Sequence, residues 1–93
     1  MTTLDLTRVV VGGLGLTGRA LTEALTSRGH GVTVADDHPK SRRALADALG
    51  VGLVDSKSLV ELEKIVTGAT VVVVSPGIPP HHHLQRISDE RGV

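Results

Sequence analysis

A short run of β-branched residues near the amino terminus leads directly into a glycine-rich turn. The run is Val9–Val11, and Gly13, Gly15 and Gly18 form a GxGxxG pattern. Asp36 follows at the end of a second apolar run, close to the spacing of about 20 residues that nucleotide-binding domains use. This order of strand, glycine turn, helix, strand and acid is typical of domains that hold phosphates at a helix amino terminus. The pattern predicts a nucleotide ligand and leaves the nucleotide open.

Each glycine of the pattern has a distinct predicted task. Gly13 allows the tight turn, Gly15 lets the backbone approach a diphosphate, and Gly18 allows close packing of helix on strand. The N–H groups of Leu16, Thr17 and Gly18 are then expected to face the anion, aided by the helix dipole. The alternative is a glycine-rich turn that binds nothing.

Strand and helix patterns alternate along the rest of the chain. We predict strands at 8–11, 32–35, 52–54 and 70–74, and helices at 17–28, at 39–49, after the capping box Ser58–Glu61, and up to about residue 91. The residues expected to pack are Ala20, Leu21, Ala24, Leu25, Ala44, Leu45, Ala48, Leu49, Leu59, Leu62, Ile65 and Val66.

This alternation predicts an α/β fold. We expect a Rossmann-like parallel sheet with helices on both faces and about four strands in the order 3-2-1-4. The valine run 71–74, apolar on both faces, suits a central strand. The ending Arg91-Gly92-Val93 resembles the earlier helix exits that lead into strands. We therefore expect residues 1–93 to be one domain, truncated before a fifth strand and part of a larger protein.

Composition excludes several classes of function. The 93 residues carry no net charge and contain neither cysteine nor any Phe, Trp or Tyr. Disulfides and thiolate sites are therefore absent, and neither the basic face nor the stacking aromatics of a nucleic-acid-binding protein are present. No apolar run reaches the roughly 18 residues of a membrane span, and no signal-peptide pattern begins the chain. We expect a cytoplasmic protein with no nucleic-acid or membrane partner.

Two further segments are candidate binding sites. Asp36 and Asp37 end the second strand, where an acid accepts a hydrogen bond from a ribose hydroxyl in dinucleotide enzymes; the alternative is that one of them caps the helix beginning at Pro39. Ser75, Pro76 and Gly77 follow the fourth strand and are expected to face the glycine turn across the crevice. The alternative is a connector stiffened by proline.

No residue is a convincing catalyst. The adjacent histidines His81–His83 do not share a helix face and have no carboxylate or cysteine to complete a metal site, so we predict no metal. No GxxxxGK[ST] phosphate loop is present, and an ATP site of that kind is not encoded here.

The glycine turn and the segment after the fourth strand together indicate a family. The sequence Gly13-Leu14-Gly15-Leu16-Thr17-Gly18, combined with Val74–His82 (VSPGIPPHH), resembles the N-terminal domain of the Mur ligases. The similarity is greatest to the branch that adds D-glutamate during peptidoglycan synthesis. It extends from Val9 to Val93.

The resemblance implies a UDP-linked substrate instead of a dinucleotide. The domain would bind UDP-N-acetylmuramoyl-L-alanine, with Leu14–Gly18 at the diphosphate, Asp36 and Asp37 near the uracil, and Ser75–Gly77 toward the diphosphate and muramoyl group. In the parent enzyme, ATP and Mg²⁺ would bind a middle domain and the amino acid a C-terminal domain, and catalysis would belong to those two domains. The 93 residues alone would need no cofactor and would bind without catalysing.

Two other functions remain open on the residues alone. One is an NAD-binding half-domain of a dehydrogenase or a regulatory nucleotide-sensing module, which Asp36 and the glycines also suit. The other is a structural or interaction domain without a ligand. Thr17 and Ser75–Ile78 fit the ligases and are not needed for NAD.

Overall fold

The computed structural model describes residues 7–74 and 83–91. Strands and helices alternate throughout these residues, as predicted. The strands are β1 (Val9–Gly12), β2 (Val32–Asp36), β3 (Gly52–Asp55) and β4 (Val71–Val74). The helices are α1 (Leu16–Ser27), α2 (Pro39–Leu49), α3 (Leu59–Thr67) and α4 (His83–Arg91).

The four strands form one parallel sheet in the order β3-β2-β1-β4. This confirms the predicted α/β fold and strand order. Because all strands run the same way, their carboxyl ends meet at one edge, and the loops that follow them converge there.

Helices cover both faces of the sheet and bury two separate cores. On one face α1 and α2 pack over Val9, Val11 and Val34. On the other face α3 and α4 pack over Val10 and Ala35. The side chains of successive strand residues thus pack into opposite cores, as the alternation of side chains along a strand requires. With no aromatic side chain available, aliphatic residues fill both cores.

The predicted packing faces of the helices are partly wrong. Ala20, Ala24, Ala44 and Ala48 are exposed, while the neighbouring leucines of α1 and α2 pack against the core. Ala46 is fully buried instead. The leucines are only partly buried against this core, so the buried stripe is narrower than the run of apolar residues. On α3, Leu59 is 46% exposed, whereas Leu62 and Val66 are fully buried.

The valine run forms an edge strand among the described residues. All four residues of β4 are half-buried, and β4 pairs with β1 alone. The predicted order 3-2-1-4 already places the fourth strand at an edge of the sheet that these residues form. No helix among these residues is long and apolar enough to cross a membrane.

Helix α3 begins as its sequence predicts, with one difference. The Ser58 side chain accepts a hydrogen bond from the Glu61 N–H at 3.4 Å. The Glu61 carboxylate accepts from the N–H of Asp55 at 3.3 Å instead of from Ser58, so the reciprocal half of the capping box joins α3 to the end of β3.

Candidate functional site at the carboxyl ends of the strands

The strand register brings the predicted site residues to one edge of the sheet. Gly12, the last residue of β1, is level with Ala35 of β2 and Val74 of β4. Asp36 is level with Asp55. The glycine turn and the two acids that end β2 therefore lie together. Ser75, Pro76 and Gly77 follow β4 but lie outside the described residues, so their place in the site stays a prediction.

Two of the three glycines are held by close backbone packing. Gly13 has φ +92°, a left-handed conformation that favours glycine. A Cβ on Gly18 would lie 1.9 Å from the carbonyl oxygen of Gly13. Helix α1 can therefore begin this close to the turn only because Gly18 has no side chain. This geometry agrees with the roles predicted for both residues.

Gly15 differs, because the space beside it is open. A Cβ built there would have no atom within 4 Å. Gly15 is also the N-cap of α1 and supplies no side chain to bond the first-turn N–H groups. The next two residues, Leu16 and Thr17, are exposed, Leu16 by 90%. The amino end of α1 thus presents backbone N–H groups and a positive dipole end to open space.

Leu14 faces inward instead of toward this space. Its side chain is only 1% exposed and belongs to the core beneath α1 and α2. Its N–H donates to Oδ2 of Asp36 at 2.8 Å. Leu14 is one of the loop residues predicted to hold a diphosphate through backbone N–H groups. Its N–H instead donates to a carboxylate inside the protein.

Asp36 is buried at the end of β2. Its side chain is 7% exposed, and its second oxygen, Oδ1, accepts from the N–H of His38 at 2.7 Å. The Arg42 guanidinium lies nearby, with Nε 3.7 Å from Oδ2. Two N–H donors and one cation thus offset the cost of burying this carboxylate.

Asp37 is held by a residue that the sequence analysis missed. The fully buried Ser56, which follows β3, donates its hydroxyl to Oδ1 of Asp37. The Ser56 N–H also donates to the Asp36 carbonyl at 3.0 Å. The sequence did contain one signal for this contact: Ser56 follows a strand that is parallel to β2, which places it beside the end of β2. Nothing in the spacing showed which way the hydroxyl points.

An open pocket of about 300 Å³ adjoins Asp37, between the loops that follow β2 and β3. Its lining residues carry both signs of charge: Asp37, His38, Pro39, Lys40, Ser41, Asp55 and Lys57. A second pocket, of about 390 Å³, lies at the amino ends of the strands and includes Arg8 and Lys64. Parallel sheets bind ligands at the carboxyl ends, which favours the smaller pocket.

The structure offers no metal centre within residues 7–74 and 83–91, where no three His, Asp or Glu side chains are grouped to hold an ion. His81 and His82 lie outside the described residues. The site described above consists of backbone donors, the buried Asp36 carboxylate and the mixed-charge pocket.

Comparison with known proteins points to one family. Residues 7–93 match the family described as Mur ligase MurD-like, N-terminal domain. Three similar proteins are each named UDP-N-acetylmuramoylalanine–D-glutamate ligase. The one from Paramagnetospirillum magneticum is 43% identical over 81% of this chain and 15% of its own length. That from Mycolicibacterium vanbaalenii is 40% identical over 77% and 14%, and that from Leifsonia xyli subsp. xyli is 35% identical over 92% and 17%.

The chain thus spans about a sixth of the length of these relatives. The match includes the glycine turn, both acids at the end of β2 and the segment after β4. With the sheet order and the open helix amino terminus already established, these similarities identify the chain as a member of the MurD-like N-terminal domain family of the Mur ligases.

Proposed function

We propose that this chain binds UDP-N-acetylmuramoyl-L-alanine as the N-terminal domain of a D-glutamate-adding ligase of peptidoglycan synthesis. The observation that carries the proposal is the open space at Gly15, directly before an uncapped helix amino terminus. A diphosphate placed there would accept hydrogen bonds from the N–H groups of Leu16, Thr17 and Gly18. The names of the relatives support this choice of substrate.

The other end of the ligand is assigned to the pocket between the loops that follow β2 and β3. Asp36 and Asp37 are proposed to lie near the uracil, and Ser75, Pro76 and Gly77 to line the diphosphate and muramoyl side. The pocket of about 300 Å³ next to Asp37 has room for a pyrimidine base. Its mixed charges and backbone groups offer both donors and acceptors to the polar edge of such a base.

The chemistry of the parent enzyme is proposed to lie elsewhere. ATP and Mg²⁺ would bind a middle domain of the same polypeptide, and a C-terminal domain would bind the amino acid, in the cytoplasm. ATP would phosphorylate the alanine carboxylate, and the D-glutamate amine would displace phosphate to form the amide. The present residues would hold and orient the UDP-linked substrate, and we expect the 93-residue chain alone to be inactive.

The proposal is tested by titrating the isotope-labelled chain with UDP-N-acetylmuramoyl-L-alanine and, separately, with NAD, while backbone amide shifts are followed by NMR. Shifts at Gly15–Gly18 with the UDP ligand alone are expected. Shifts with NAD alone would instead support the dinucleotide-binding alternative. No shift with either compound would leave a ligand-free structural domain.

A further inference from the structure

The buried carboxylate of Asp36 joins two elements of the candidate site. Its Oδ2 accepts from the N–H of Leu14 in the glycine turn at 2.8 Å. Its Oδ1 accepts from the N–H of His38, two residues further along its own strand. The first bond links residues 22 positions apart. Asp36 therefore ties the turn after β1 to the end of β2.

A second bond runs beside this one. The Gly13 N–H donates to the carbonyl oxygen of Ala35 at 2.7 Å. Consecutive N–H groups of the turn thus meet consecutive residues of β2. The bond from Gly13 continues the backbone ladder, whereas the bond from Leu14 needs the Asp36 side chain, because the sheet pairing ends at Gly12 and Ala35.

Leu14 is fixed from both sides as a result. Its side chain is buried in the core that also holds Val34, and its N–H is held by Asp36. Side chains alternate along β2, so Asp36 points to the same face as Val34. Leu14 could not keep its side chain in that core and turn its N–H toward the open space without moving the turn.

The turn leads directly into the helix that faces the open space. Leu14 is separated from α1 only by Gly15, a residue with wide conformational freedom. Fixing Leu14 restricts the directions in which the first N–H groups of α1 can point. A site whose donors are oriented before binding loses less conformational entropy when an anion arrives.

The usual role of an acid at this position is direct contact with a ribose or base. Here the side chain is 7% exposed, and each oxygen already accepts a backbone N–H. The Arg42 guanidinium also lies on the Oδ2 side. These contacts favour a role through neighbouring backbone groups over direct contact with the ligand.

We propose that Asp36 is a positioning residue for the diphosphate end of the ligand and acts through the N–H of Leu14. This proposal rests on the proposed function in one respect, namely that the glycine turn binds a diphosphate. Asp36 would thus affect the binding of the diphosphate, which its own carboxylate does not touch.

The test separates the two ends of the ligand. Asp36→Ala and the matched control Asp47→Ala, an exposed acid on α2, are titrated with pyrophosphate, uridine and UDP. We expect Asp36→Ala to weaken both pyrophosphate and UDP by about tenfold or more, since a charge-assisted hydrogen bond is lost. The loss of pyrophosphate affinity should be at least as large as any loss of uridine affinity, which can follow because Asp36 also holds His38 at the pocket proposed for the uracil. The control should be unchanged. Loss of uridine and UDP binding with pyrophosphate unaffected would overturn the proposal in favour of direct base contact.

A second variant covers the case in which Asp36→Ala fails to fold. Chemical synthesis of the chain with an ester in place of the Gly13–Leu14 amide removes only the Leu14 N–H and keeps Asp36. We expect pyrophosphate and UDP binding to weaken in this chain while uridine binding stays unchanged. Full pyrophosphate affinity in a folded ester chain would overturn the proposal.

A measurement without ligand keeps this inference separate from the proposed function. If the unmodified chain binds neither UDP nor pyrophosphate, the proposed function fails, and the inference that Asp36 orients a diphosphate site falls with it. Hydrogen exchange at Leu14 in the free chain then shows which part failed. If the Leu14 N–H is protected from exchange in the parent chain and loses that protection in Asp36→Ala, the bond between Asp36 and the turn still stands. If the Leu14 N–H is unprotected in the parent chain, that bond is ruled out as well.

Discussion

Gly18 and Gly13 approach so closely that a methyl group on Gly18 would lie 1.9 Å from the Gly13 carbonyl oxygen. The contact is with backbone, which cannot rotate away as a flexible side chain can. We expect Gly18→Ala to lower the free energy of unfolding by about 1–3 kcal/mol, the usual cost of forcing atoms into a packed region. Urea unfolding followed by far-ultraviolet circular dichroism measures this in a chain that lacks Trp and Tyr.

The matched control is Gly52→Ala, where the added Cβ would meet only the Thr33 side chain at 3.6 Å, an ordinary contact. Its unfolding free energy should change by no more than about 1 kcal/mol. Equal stability of the two variants would contradict the close packing of α1 on the turn.

Gly15→Leu should separate binding from folding. The space beside Gly15 is open and its φ of −75° suits any residue, so we expect the chain to stay folded, with a loss of about 1 kcal/mol because leucine is a poorer N-cap than glycine. The leucine would fill the place proposed for the diphosphate and weaken UDP binding by about a hundredfold or more. Calorimetric titration with UDP checks this. A folded Gly15→Leu chain with normal UDP affinity would rule out the diphosphate position.

Two leucines on α3 provide a matched comparison of packing. Leu62 is fully buried, whereas Leu59 is 46% exposed. We expect Leu62→Ala to cost about 2–5 kcal/mol through lost burial and the cavity left behind. Leu59→Ala should cost less than about 1 kcal/mol, as is usual for exposed positions. Similar losses in the two variants would show that α3 packs with a different face.

The N-cap of α3 should make a smaller contribution. Ser58→Ala removes the side-chain acceptor for the Glu61 N–H, and substitutions of this kind cost about 0.5–2 kcal/mol. The 3.4 Å distance of that bond places the expected loss at the lower end of the range. Ser58→Asp should restore stability because its carboxylate also caps a helix. If Ser58→Asp is as unstable as Ser58→Ala, capping is not the role of this residue.

The alternation of strands and helices could be predicted from the sequence because it depends on local patterns. Valine runs, the proline that begins α2 and the serine that caps α3 each act within a few residues. The strand order followed from the glycine turn and the right-handed rule for parallel connections. These predictions were confirmed.

The helix faces were harder to predict because alanine and leucine differ in reach. The run Ala44–Leu49 contains several apolar positions, and only the tertiary arrangement decides that Ala46 touches the sheet while Ala44 and Ala48 face solvent. The contacts of Asp36 were also beyond prediction. The spacing placed an acid at the end of β2, but the direction of its carboxylate depends on where Leu14 enters the core.

Leu14 has a consequence for attempts to redesign this site. Its side chain is part of the hydrophobic core, and its N–H meets the buried Asp36. The packing of the domain interior thus determines the shape of the anion-facing turn. Exchanging the exposed Leu16 and Thr17 can adjust what the surface offers a ligand. Altering the curvature of the turn itself would require repacking the interior, so affinity for a differently shaped phosphate ligand and thermal stability would have to be selected together.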